Sequence, residues 1–212
     1  MSSPRIYASP QGRSQRQANV RLPLIVPPDG SEKRKPHRIS YSPLPTPTSI
    51  RLLRIEPIES LKDEFDLFRP IRCTLVVKDL ADSPVYDALS YTWGCPVTVY
   101  EHVREVCSPA AWASPAFDIT CDGKPFSVTT NLYTALLGLV QHTLSAYIWI
   151  DQICIDQSNL QERQAQVLLM GRIYRQAQKV PVWIGGEDEF ARDGLEVMMY
   201  LSNVDTKLWG KL

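Results

Sequence analysis

The sequence predicts an α/β domain: a mostly parallel sheet flanked by helices, with a small antiparallel hairpin added. Three observations predict it. Ala146-Tyr147-Ile148-Trp149-Ile150 and Val180-Pro181-Val182-Trp183-Ile184 are almost wholly apolar, as strands covered on both faces are. A helical stretch long enough for a right-handed crossover joins them. Asp122-Gly123 sits between two strand-like runs and is a type I′ turn signal.

Each element follows in chain order. Residues 1–49 hold nine of the 17 prolines, and eight Lys/Arg against two Asp/Glu. With few large apolar residues, they read as a flexible, basic, Pro-rich leader. Order is expected from Ile50, with Ile50, Leu52, Leu53 and Ile55 in a first strand. Ile71, Cys73, Leu75 and Val77 alternate with Arg72, Thr74, Val76 and Lys78, the period of a half-buried strand. Val85 to Tyr91 reads as a short buried strand ending in Thr92-Trp93-Gly94. Residues 95–116 carry Pro96, Pro109 and Pro115 and read as an irregular excursion.

Phe117–Cys121 and Lys124–Val128 form the hairpin. Thr130 or Asn131 is the expected cap of a helix to about Gln141, with Leu132, Ala135, Leu136 and Leu139 on one apolar face. Residues 151–158 read as a loop. Ser158 or Asn159 caps the next helix, with Gln161 or Glu162 at the capping-box position. That helix runs to about Gln178, with Gln166, Leu169, Met170, Ile173 and Ala177 on one stripe. Pro181 places the last strand's start or a sheet edge at 180–184, and Gly185-Gly186 ends it.

The 212 residues, 24.0 kDa, suit one globular domain with appendages. Lys plus Arg equals Asp plus Glu, at 23 each. The leader is therefore at plus six, and residues 50–212 are at minus six, with fifteen Lys/Arg and twenty-one Asp/Glu. An acidic folded part argues against nucleic-acid binding. No apolar run reaches the roughly 18 residues of a spanning helix, and no signal-peptide core opens the chain. Cys73, Cys95, Cys107, Cys121 and Cys154 include no tight CxxC pair, which fits reduced thiols in a cytoplasmic protein rather than a zinc site.

In open parallel sheets, ligands bind beyond the carboxyl ends of the strands. The candidates lie there. Asp151 follows a buried strand and either ties down its loop or contacts a ligand. Glu162 either serves the helix N-terminus or does chemistry. Arg163 is either a solvated helix residue or a phosphate contact. Trp93 either packs or walls a pocket, and Gly94 serves backbone geometry. Gln166 lies one turn beyond Glu162. Cys154 as a nucleophile needs a base, and His37, His102 and His142 sit in no recognisable motif. There is no GxGxxG or GxxxxGK[ST], so dinucleotide and ATPase loops lack support.

The ordered series of motifs carries a resemblance. Tyr86-Asp87-Ala88-Leu89-Ser90-Tyr91-Thr92-Trp93-Gly94 resembles the opening motif of the fungal heterokaryon incompatibility domain. Asn131-Leu132 through Ala135-Leu136 looks like its next element. Trp149-Ile150-Asp151-Gln152-Ile153-Cys154-Ile155-Asp156-Gln157 is the strongest match, continuing through Glu162-Arg163, Gln166-Val167, Met170, Ile173-Tyr174, Ala177 and Val182-Trp183-Ile184-Gly185. The family usually has Asn at the position of Asp156 and Leu at that of Ile184. The matched core is 86–186, within a domain of 50–212. The chain reads either as a small member or as a piece of a longer protein.

That family is similar, distantly, to the Toll/interleukin-1 receptor domain. The resemblance implies a flavodoxin-like sheet and a cell-death effector of non-self recognition in a filamentous fungus. It also implies NAD+ as a possible substrate, cleaved to nicotinamide and ADP-ribose on self-association. No metal or other cofactor is required: nicotinamide on ribose is already cationic, and the oxocarbenium-like sugar is what needs stabilising. In that reading Glu162 stabilises the charge, Asp151 orients ribose or water, Tyr91, Trp93 and Gly94 border the cofactor-like substrate, and Arg163 meets phosphate. The wider group's catalytic glutamate maps by element order to Glu187 or Glu196 instead. The partners implied are a second copy of the chain and an upstream allorecognition protein. The alternative is a non-enzymatic interaction and signalling module.

Overall fold

The computed structural model describes residues 36–56, 71–94, 113–139 and 145–185. Strands β1 (Ser49–Ile55) and β2 (Arg72–Asp79) pair antiparallel over their length. Two short pieces follow, β3 (Asp87–Ala88) and β4 (Ser90–Tyr91). The hairpin is β5 (Pro115–Cys121) and β6 (Lys124–Thr129), leading into helix α1 (Thr130–Leu139). Then come β7 (Ile148–Trp149), the one-turn helix α2 (Asp151–Cys154), the long helix α3 (Leu160–Gln176) and β8 (Val182–Trp183).

The class is α/β, as the sequence predicts. The main sheet has six strands in the order β3-β7-β1-β2-β5-β6, and β4 pairs with β8. Pairing is mixed. β3 with β7, β4 with β8 and β2 with β5 run parallel, while β1 with β2, β1 with β7 and β5 with β6 run antiparallel.

β3 and β4 are one extended run, and it has a partner on each side. Asp87 N–H and Leu89 N–H donate to Tyr147 O and Trp149 O, at 3.0 and 2.9 Å. Ala88 N–H and Ser90 N–H donate the other way, to Lys179 O and Pro181 O, at 3.0 and 2.9 Å. The unit of β7, α3 and β8 is thus the expected parallel crossover, with strand 86–91 laid between its two strands. Its apolar sequence follows: Tyr86, Ala88, Leu89, Ile148, Trp149 and Ile150 are buried. Val182 and Ile184 are not, at 65% and 58% exposure; among the described residues β8 pairs on one side only, with β4.

Asp122 and Gly123 both have positive φ, 50° and 73°, the type I′ geometry that the dipeptide signalled. The cap of α1 differs from expectation. Thr129, not Thr130 or Asn131, accepts the Leu132 N–H. The helix therefore starts one residue early, and Asn131 is released for a tertiary role. All ten α1 residues are buried, rather than one face only. The loop at 151–158 contains α2, because Cys154 and Ile155 N–H close a helical turn on Ile150 O and Asp151 O. Of the two proposed α3 caps it is Asn159 that accepts Glu162 N–H, at 3.1 Å. The apolar stripe of α3 is as expected, with Gln166 and Ile173 fully buried.

Order begins before Ile50. Residues 36–48, placed by composition in the flexible leader, lie against the domain. Ser127 N–H donates to His37 O at 3.0 Å, and His37 N–H to Ser127 Oγ at 2.8 Å. Tyr41 Oη donates to Ile153 O at 2.8 Å. The low apolar content of 1–49 concealed these few anchoring bonds. The rest of the leader, most of the 95–116 excursion and the 195–201 helix lie outside the described residues.

Candidate functional site

The carboxyl ends of the parallel strands bring the first and third motif stretches together. β4 delivers Tyr91, then Thr92, Trp93 and Gly94. β7 delivers Asp151 into the first turn of α2. Trp93 Nε1–H donates to Asp151 Oδ2 at 2.8 Å, and Gln152 N–H to Asp151 Oδ1 at 2.7 Å. Burial pushes the Asp151 pKa up, while those two donors and the Tyr91 hydroxyl oppose the rise by favouring the anion. Gln157 Nε2–H donates to Asp151 O at 2.9 Å, holding the loop closed. Asp151 is therefore both a loop tie and a carboxylate at the strand ends.

Around this pair is a web of amides and aromatics. Tyr91 Oη donates to Gln152 Oε1 at 3.3 Å, and burial raises its pKa well above the ordinary phenol value. Asn131 Nδ2–H donates to Thr92 O at 2.7 Å, and Trp183 Nε1–H to Asn131 Oδ1 at 2.9 Å. Asn131 thus joins the turn after β4 to β8, which is what the motif at the start of α1 does. Trp93 is 39% exposed. It borders a hollow of about 170 Å³ that is also lined by Gln152, Asp156, Gln157, Ser158, His37, Arg38 and Tyr41. Asp151 and Glu162 do not line that hollow. Gly94 has no positive φ, and a Cβ there would meet open space, so the backbone does not require glycine at this position.

Glu162 faces elsewhere. Its two carboxylate oxygens accept from Arg51 Nη1 and Nη2, at 2.5 and 3.1 Å. Oε1 also accepts Asp156 N–H at 2.8 Å. Their side chains are 3% and 11% exposed. Arg51 further donates to Cys154 O and Ser42 O, at 3.2 and 2.5 Å, and lies over the Tyr41 ring, 4.7 Å from its centre. The capping-box position thus serves a tertiary ion pair instead of the helix's own N-cap. Gln166, one turn on, donates to Ser49 O at 3.0 Å. Arg163 is exposed on α3.

Asp156 Oδ1 accepts Ser158 N–H and Oγ–H, at 3.0 and 2.5 Å. An asparagine carbonyl accepts the same two bonds, which accounts for Asp where the family pattern has Asn. Cys154 is buried, and desolvation pushes its thiol up to about 12. That opposes the thiolate a nucleophile needs. His37 bonds Asp118, at 3.2 Å, on the hairpin, while His102, His142, Glu187 and Glu196 lie outside the described residues. Among the described residues no three His, Cys, Asp or Glu side chains converge as metal ligands.

Sequence reasoning missed Arg51 and Asn131's tertiary role. The signal for Arg51 was present: a lone cation inside Ile50-Arg51-Leu52-Leu53 needs a buried carboxylate.

Comparison with known proteins follows the same motifs. The sequence model of the heterokaryon incompatibility protein (HET) family matches residues 86–210. Heterokaryon incompatibility protein 6, OR allele, of Neurospora crassa is 32% identical over 173 residues, covering 78% of this chain and 22% of that protein. The chain thus spans about a fifth of that relative's length. No solved structure matches. With the opening motif, the Asp151 turn and the start of α3 all inside the matched range, the chain belongs to the heterokaryon incompatibility family.

Proposed function

We propose that the chain acts in fungal heterokaryon incompatibility as a signalling domain that works by protein contact, chiefly with further copies of itself. The observation that carries this reading is the edge at β8, which among the described residues pairs on one side only, with β4. Val180, Val182 and Ile184 alternate along it and are 41%, 65% and 58% exposed. Exposed apolar rows of this kind mark association surfaces. The relative's name supports the biological setting. The motif carboxylate Glu162 supports the non-enzymatic side, because Arg51 already neutralises it.

A second reading is NAD+ cleavage, favoured by one observation: Asp151 stands at the carboxyl ends of the parallel strands beside the half-exposed Trp93. In that chemistry the nicotinamide–ribose bond breaks, nicotinamide leaves with the electron pair, and water adds to the sugar. Asp151 would stabilise the cationic sugar and Trp93 would stack on a ring. Arg51 and Glu162 would keep the 151–156 turn in place.

One pair of measurements separates the readings. Sedimentation of the full chain across a concentration series should show self-association that Val182→Lys abolishes. Nicotinamide release from NAD+ is followed on the same samples, with Asp151→Asn, Glu162→Gln, Glu187→Gln and Glu196→Gln alongside. Association without turnover supports contact signalling. Turnover lost in folded Asp151→Asn establishes the enzyme and its carboxylate. A chain that stays monomeric at every concentration rejects the self-association reading.

A further inference from the structure

Tyr41 and Ser42 form a cap over the Arg51–Glu162 pair. The Tyr41 ring lies against the guanidinium, and the Ser42 carbonyl accepts one of its N–H groups at 2.5 Å. Ser42 itself is exposed, outside helix and strand, and precedes Pro43. A proline holds the preceding residue in extended backbone, the form in which a kinase reads its peptide. Among the described residues the Ser42 hydroxyl makes no hydrogen bond. The other described Ser/Thr-Pro pairs are placed differently. Thr46, before Pro47, has its hydroxyl bonded to Asp79 Oδ2 and Ser49 Oγ. Ser83, before Pro84, is left-handed at φ 51°, with its N–H closed on Leu80 O. Ser114 leads directly into β5.

We propose that Ser42 is the acceptor of a proline-directed Ser/Thr protein kinase, and that its phosphate draws Arg51 away from Glu162. The γ-phosphoryl of ATP passes to Ser42 Oγ, the Oγ–P bond forms as the bond to the ADP oxygen breaks, and the hydroxyl proton leaves to the kinase's base. The new group carries about −1.5 to −2 charges and strong acceptor oxygens. Arg51 is the guanidinium already bonded to that residue's own carbonyl, and a guanidinium fits phosphate at two points. Glu162 carries a single negative charge and loses the competition. Its carboxylate is then left with Asp156 N–H, beside the 151–156 turn. Modification of the segment before β1 thereby reaches the strongest motif of the domain.

The test uses the full 212-residue chain, magnesium ATP and a recombinant kinase of the mitogen-activated class. Phosphopeptide mapping should find phosphate on Ser42 of the folded chain, in a larger fraction of molecules than on Thr46. The Ser42 phosphopeptide should vanish in Ser42→Ala and persist in Thr46→Ala. Phosphorus NMR on the product should give a second ionisation below about 6, the ordinary phosphoserine value. Thermal unfolding should show a lower Tm on phosphorylation of the wild type, and no such loss in Glu162→Gln. Ser42 left unmodified, or modified less than Thr46, overturns the site. An ordinary phosphate titration, read on the wild type alone, overturns the pairing with Arg51.

Discussion

Arg51 on β1 and Glu162 on α3 close a two-point ion pair across 111 residues of sequence. It bolts the first strand to the helix that follows the strongest motif, and the Cys154 carbonyl completes the guanidinium's bonding. A buried charge left alone costs about 3–5 kcal/mol. Arg51→Met and Glu162→Gln should each lower stability by that order in urea unfolding. The double change Arg51→Met with Glu162→Leu should recover most of the loss, because neither charge remains. Single variants within about 1 kcal/mol of wild type would mean the pair is as weak as an exposed one.

The Asp151 carboxyl should make stability depend on pH in one direction. Burial raises its pKa above the ordinary 3.8. Protonation is therefore easier in the folded state than in the unfolded chain. The associated stability is complete below 3.8 and is lost as pH rises through the raised value. Asp151→Asn removes the charge and keeps an acceptor for one of the two donors, Trp93 or Gln152, a loss that does not vary with pH. The variant should gain on the wild type between pH 3.8 and neutrality, read as the difference in unfolding free energy. A constant difference across that range would contradict the raised pKa.

Gly123 is needed for its backbone, and only for that. Its φ is 73°, and a Cβ would meet nothing within 4 Å. Gly123→Ala should destabilise by about 1–2 kcal/mol through the left-handed conformation alone. Gly94→Ala, with no positive φ and equal space, should cost far less. Equal losses in chemical unfolding would show that Gly94 has a duty beyond its local conformation.

Cys73, Cys121 and Cys154 are buried free thiols; a hydrogen bond with Cys121 and then burial raise the Cys73 pKa, and burial raises that of Cys154. Native protein should leave all three unlabelled by a thiol reagent at neutral pH, while urea-unfolded protein labels them. Fast native labelling of Cys154 would reopen its reading as a nucleophile.

Much of the fold was legible because period and turn chemistry act locally. The strands at 50–55, 71–77 and 117–128, the Asp122-Gly123 turn and the α3 stripe each declare themselves within a few residues. Pairing order did not. Nothing local says that strand 86–91 inserts between 148–149 and 182–183, since hydrogen-bond partners are chosen by the whole sheet. The same limit applied to the site. Glu162 at the third helical position satisfies the capping-box rule, yet a buried cation outcompetes the helix's own N–H. Asp151 was legible in place, at a strand's carboxyl end, but its Trp93 partner lies 58 residues away. Asn131 looked like a cap because caps are the common local use of asparagine, and Thr129 took that task.

The placement of strand 86–91 has a consequence for assembly of the polypeptide itself. The α3 crossover spans a gap that only an earlier stretch of the chain fills. With strand 86–91 displaced from the sheet, the domain would keep α3 but present two bare rows of amides and carbonyls, at 147–149 and at 179–181, with no third strand to bridge them. Such rows recruit any extended peptide nearby. The opening motif is in this sense a built-in plug, and its loss would convert a folding domain into a nucleus for cross-strand polymerisation.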